Sequence, residues 1–194
     1  MLFKLGFLTL ACATGALAQC GRSEFDYESL GHPDTWPTIK YDGPRFNMTA
    51  ERKAEILEQR ANNASWERPD DMPVIELQPG THLDFGADSD SQLEKRRGSR
   101  LIAAYGGYNC ASETILADVL NFGCGTGCVT VPVTANSGVV LQQYHGNPYP
   151  TMDVWRGAGC RGNRLAHFGV VDTRSCSNIN DCGGYRSFIG WWNC

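Results

Sequence analysis

The acid–base side chains in the second half of this 194-residue chain include His145, His167, Glu113, Asp118, Asp153 and Asp172, accompanied by Arg156, Arg161, Arg164, Arg174 and Arg186. A glutamate, a histidine and an arginine can serve phosphodiester hydrolysis as general base, general acid and phosphate clamp. An enzyme built on this chain would use His145, His167 and Glu113. No local motif gathers them, and an isolated surface histidine accounts for each without catalysis. From Leu101 onward five arginines face five carboxylates with no lysine, which argues against a strong electrostatic grip on nucleic acid. Arg156, Arg161 and Arg164 are close enough in sequence to make a modest anion-binding patch.

Aromatic residues are the other handle for recognition. Tyr144, Tyr149, Trp155, Tyr185, Trp191 and Trp192 are dense for so short a stretch. Strand alternation should bury one of Trp191 and Trp192 and turn the other outward. An outward tryptophan beside arginine would suit a carbohydrate, a lipid headgroup or a protein. The candidate binding residues are therefore Trp191, Trp192, Tyr185, Arg156, Arg161 and Arg164.

The elements that position these residues follow from how the chain is addressed and stapled. Lys4, the apolar run from Leu5 to Leu17 and the small-x-small site ending at Ala18 read as a signal peptide over residues 1–18. The run is too short for the roughly twenty residues that span a bilayer, so no transmembrane anchoring is expected. Of nine cysteines, Cys12 falls in that leader. Cys20, Cys110, Cys124, Cys128, Cys160, Cys176, Cys182 and Cys194 remain. An even set in an exported chain reads as a disulfide framework, with 105 possible pairings. Zinc at Cys124 and Cys128 lacks a second ligand pair.

Residues 19–97 carry sixteen acidic and ten basic residues and a single cysteine. Stretches such as Glu67 to Pro73 are rich in proline and charge, so this half is expected to be largely unstructured. The exception is a short helix near 49–61 with Thr49 as its N-cap. The half ends at Lys95-Arg96-Arg97, which resembles the sites cut by kexin-type proteases. Residues 19–97 thus read as a pro-region and 98–194 as the working domain, with a charged linker as the alternative. Sequons at Asn47 and Asn63 both lie in the pro-region. A cut after Arg96 or Arg97 leaves seven cysteines in the domain. Cys20 would then hold the two parts together, stay free or join two chains.

The domain repeats itself. Tyr105 to Ile115 aligns with Trp155 to Leu165 as aromatic, x, Gly, x, x, Cys, x, small, x, x, aliphatic. Further on, Cys124 or Cys128 matches Cys176, and Ser137 to Leu141 matches Ser187 to Trp191. Apolar and β-branched runs at Leu101–Tyr105, Val129–Val133, Val139–Gln143 and Phe188–Trp192, bounded by Gly, Asn, Pro and Ser, predict short antiparallel strands.

These residues resemble the βγ-crystallin fold, in which two Greek-key motifs each carry an aromatic-x-x-x-x-aromatic-x-Gly turn and a later serine. Tyr105 to Ser112 and Trp155 to Gly162 look like the turns, and Ser137 and Ser187 look like the serines. Cysteine stands at the second aromatic, and Ser112 replaces the first glycine. The resemblance, over residues 101–194, implies an all-β sandwich of two Greek keys. Among secreted relatives it looks most like small killer-toxin-like and fungal effector-like proteins.

Many members of that family bind calcium through acidic loops. Here Thr134 to Ser137 lacks a carboxylate and Arg186 occupies the second loop, so no cofactor is expected and calcium is disfavoured. The resulting expectation is a secreted, non-enzymatic effector or toxin-like protein that binds a host or competitor-microbe surface component. A small secreted hydrolase, ribonuclease first, and a wall-associated structural protein are the alternatives.

Overall fold

The computed structural model describes residues 25–62, 66, 68–86, 100–143, 148–170, 172–179, 183–192 and 194. Two β-sheets face each other. The domain supplies eight strands: β4 (Arg100–Tyr105), β5 (Ile115–Leu120), β6 (Cys128–Ala135), β7 (Ser137–Gln142), β8 (Thr151–Trp155), β9 (Arg164–Gly169), β10 (Arg174–Asn178) and β11 (Tyr185–Trp191). Their order is β5-β4-β7-β10 in one sheet and β6-β11-β8-β9 in the other, all antiparallel.

The strand order is symmetric. β4 to β7 form one repeat and β8 to β11 the other, and each repeat sends its third strand across to the opposite sheet. β10 joins the first repeat's sheet and β6 joins the second's, so neither repeat can close its sheet alone. Between the sheets lie Ile102, Ala104, Leu116, Val129, Val131, Val140, Met152, Val154 and Phe188, all fully buried. Alternation supplies these inward residues from each strand.

The N-terminal half departs from its expected disorder. Within it β1 (Thr38–Lys40), β2 (Val74–Glu76) and β3 (Thr81–Asp84) add to the sheets in parallel. β3 lies against β5 with β1 outside it, and β2 lies against β6. Leu77, Leu83 and Phe85 enter the central core. Phe46, Ile56, Trp66 and Met72 cover the outer face of the second sheet, over Trp155, Ile189 and Trp191. The composition argument holds for the segment alone, which cannot bury enough of itself. Here the sandwich provides the apolar surface that the segment lacks, together with two strand edges that need partners.

The helix α1 (Ala50–Ala61) forms where expected. Thr49 Oγ1 accepts from the Arg52 amide at 3.3 Å, satisfying one of the free donors of the first turn. Among its described side chains Ile56 is the one buried in the outer cluster, and this tertiary packing supports a helix too short to be stable alone.

Among the described residues three disulfides staple the domain. Cys110–Cys176 joins the first repeat's turn to β10, and Cys160–Cys128 joins the second repeat's turn to β6. Register makes them equivalent: Cys176 stands opposite Val139 on β7, and the bridge's counterpart, Cys128, lies on β6 beside β11. Cys128 is thus the match of Cys176, and Cys124–Cys194 is an extra bond that ties down the C-terminus. Cys20 and Cys182 lie outside the described residues.

Candidate functional site

Each repeat carries the same polar joint. Cys110 N–H donates to Ser137 Oγ at 3.1 Å, and Ser137 Oγ donates to the Gly107 carbonyl at 2.7 Å. Cys160 N–H donates to Ser187 Oγ at 3.0 Å, and Ser187 Oγ donates to the Gly157 carbonyl at 2.6 Å. One hydroxyl thereby satisfies a turn's donor and its acceptor where water is excluded. Both cysteines sit in the left-handed region, with φ of 49° and 50°. That conformation costs a non-glycine residue roughly 1–2 kcal/mol, and here the joint and the disulfide over-determine it. The turns differ after this point. Gly162 has a φ of 80°, whereas Ser112 opens a 3₁₀ turn, Ser112–Thr114.

The loops matched to calcium sites are occupied with structure. The Asn136 side-chain amide donates to the Gly106 carbonyl at 2.6 Å, and Ser137 and Ser187 hold the turns. No cluster of three or more His, Cys, Asp or Glu side chains is placed to hold a metal among the described residues.

Among the described residues, the two carboxylate–histidine pairs whose carboxylate is buried lie on opposite sheets. Asp153, on β8, is buried and accepts at Oδ1 from Arg164 at 3.0 Å, with His167 Nδ1 at 2.8 Å from the same oxygen. Its Oδ2 accepts from Trp191 Nε1 at 2.8 Å. These partners satisfy both oxygens of a carboxyl group that lies beneath the apolar cover of the second sheet. The His167 side chain is 38 % exposed, so its outer edge meets solvent. Asp118, on β5, is buried against His82 of β3, which the sequence reading passed over. Its signal is not local: the two residues are 36 apart.

The other expected site residues are dispersed. Glu113 lies in the 3₁₀ turn of the first repeat, lining a hollow with Phe25, Tyr27, Tyr108 and Asn109. His167 lies on β9 in the other sheet, and His145 is outside the described residues. Trp191 and Trp192 do face opposite sides, one in the outer cluster and one in the central core. Neither is exposed, because the N-terminal segment covers the outer side. Trp192 also lies under the buried Arg100 guanidinium, 3.6 Å from its ring centroid.

Tyr185 is fully buried and donates to the Ser137 carbonyl at 2.9 Å, which ties the second repeat to the first. Burial pushes its phenol far above the ordinary range. Arg164 is committed to Asp153. Arg156, Arg161 and Arg186 are exposed at or beside the second repeat's turn, and Arg156 runs across Gly183, where a Cβ would overlap its guanidinium. The exposed Asn47 is accessible to glycosylation, while Ala18, Asn63 and Lys95, Arg96 and Arg97 fall outside the described residues.

Comparison with protein-family models, with curated proteins and with solved structures found no match. Among the described residues no helix is long and apolar enough to cross a membrane. Three disulfides are compatible with an oxidising, extracellular setting.

Proposed function

We propose that this chain is a secreted binding protein of βγ-crystallin-like architecture, acting outside the cell as an effector or toxin-like protein on a host or competitor-microbe surface component. The repeated cysteine–serine joint carries the reading. Equivalent hydrogen bonds and equivalent disulfides recur in two repeats with exchanged third strands, as two such Greek-key motifs would require. This chemistry maintains a scaffold, leaving recognition to the surface.

The contact surface is the second repeat's turn. It exposes Arg156, Arg161 and Arg186, and the planar guanidinium fork suits an anionic group. The acting species retains its N-terminal segment, because that segment covers Trp155 and Trp191.

The test is the exported protein applied to plant tissue and to competing microbes. Cell death or growth inhibition should survive His145→Ala and His167→Ala. It should fall about tenfold or more, the equivalent of 1.4 kcal/mol of binding, in the double variant Arg156→Glu, Arg161→Glu.

A second reading, a small secreted hydrolase with ribonuclease first, rests on one observation: His167 is oriented by buried Asp153 beside Arg164. RNA cleavage by the purified protein, abolished by His167→Ala, would establish it in place of the first.

A further inference from the structure

His82 and Asp118 have no part in the reading above. They join the N-terminal segment to the first repeat, His82 from β3 and Asp118 from β5, at the same register position. Nδ1 of His82 is 2.8 Å from Asp118 Oδ1, and Nε2 is 2.8 Å from the Pro33 carbonyl oxygen. A carbonyl oxygen only accepts, so Nε2 carries a proton. The contact at Nδ1 needs a second proton, on the ring or on the carboxyl group. A neutral imidazole facing an ionised carboxylate has only the first. It would set a nitrogen lone pair against a buried oxygen anion at hydrogen-bond distance.

We propose that His82 and Asp118 form a pH-sensitive clasp, which holds the N-terminal segment on the first repeat in acid and loosens it as the pH rises.

The surroundings fit. Asp118 faces the ring from β5, and Asp34 adds negative charge from the turn at residues 33–35. Thr38 stands opposite on β1, and the Trp36 ring lies 5.4 Å away as an apolar cover. Behind Asp118, Tyr105 of β4 is hydrogen-bonded to Arg174 of β10. Burial works against a charged His82. The Asp118 hydrogen bond, the Pro33 carbonyl and the two carboxylates outweigh it, and the net effect raises His82 above its ordinary value. Burial raises Asp118 as well, against the pull of His82.

Both shifts have the same sign. A group whose folded pKa is raised contributes stability that is complete below its unfolded value and is lost as the pH climbs through its folded value. For Asp118 that loss begins above 3.8, and for His82 above 6.5. Opening would withdraw Leu83 from the core and uncover the edge of β5, an unpaired strand able to take another.

The experiment is amide hydrogen exchange on the full exported chain between about pH 5 and about pH 9, corrected for the chemical exchange rate, with the His82 ring followed by NMR. The opening constant of β3 should rise from about pH 6.5 up to the His82 pKa of the folded protein, by up to about tenfold per pH unit, the limit for one linked proton, and level off above it. β4 and β8 should not share that rise. His82 should titrate above 6.5. His82→Gln and Asp118→Asn should each flatten the dependence.

A pH-independent β3 in the wild type, a dependence unchanged in both variants, or a His82 that titrates at or below its ordinary value would overturn the proposal. If both variants fail to fold, the wild-type exchange and titration decide alone. The proposal stands apart from the binding function, which could hold with a segment docked at every pH.

Discussion

The ring of Trp66 lies 5.6 Å from the ring of Trp155, so a residue of the acidic N-terminal half completes the outer face of the second repeat's first strand. The two chains of contact are doubled by backbone: Trp66 and Gly162 exchange hydrogen bonds of 3.0 and 3.2 Å. Trp66→Ala should destabilise the protein by about 3–5 kcal/mol, the usual cost of deleting a buried tryptophan. Denaturant unfolding measures it. A loss below about 0.5 kcal/mol, the range of an ordinary surface substitution, would show that the segment merely rests on the domain.

A chain cut at Lys95-Arg96-Arg97 should remain a two-part molecule. Phe46, Ile56, Trp66, Met72, Leu77, Leu83 and Phe85 are buried against the domain or alongside it, and each such side chain is worth about 1.5–3 kcal/mol when fully buried. After cutting with a protease specific for basic pairs, both fragments should co-elute in gel filtration under native conditions. Separation without denaturant would show that the segment leaves the domain after cleavage, as a discarded pro-region does.

The two serine joints can be tested against each other. Ser137→Ala and Ser187→Ala each leave a buried cysteine amide without its acceptor, which costs about 1–3 kcal/mol. Equal losses are expected from equivalent joints. A double variant whose loss departs far from the sum would reveal coupling through Tyr185, which donates to the Ser137 carbonyl.

Loop length ranks the two equivalent disulfides. Cys110–Cys176 spans 66 residues and Cys128–Cys160 spans 32, so chain entropy assigns them roughly 4.3 and 3.7 kcal/mol. Paired Cys→Ser variants should therefore lose stability in that order by a small margin. Unfolding curves with matched slopes would verify it; a reversed order would point to native-state contacts as the larger factor.

All six cysteines among the described residues are paired, and beyond residues 1–18 the sequence leaves Cys20 and Cys182. Intact mass with and without alkylation of unreduced secreted protein should show no free thiol. Two alkylated cysteines would mean that these two stay reduced.

Local residues carried a good part of this architecture. Alternation and turn residues marked β4, β6, β7 and β11, Thr49 marked the start of α1, and the spacing around Cys110 and Cys160 disclosed the duplication. These signals are short-range, because they depend on the pleat, on a cap or on a turn a few residues long. What needed the tertiary structure is long-range. The order of residues from Glu67 to Pro73 says only that this stretch cannot bury itself. It does not say that β6 and β5 leave edges for β2 and β3, or that the face holding Trp191 awaits Phe46 and Trp66. The same limit hid His82, whose partner Asp118 is adjacent only after β3 docks. Composition can state what a segment lacks, but the surface that supplies it belongs to another part of the chain.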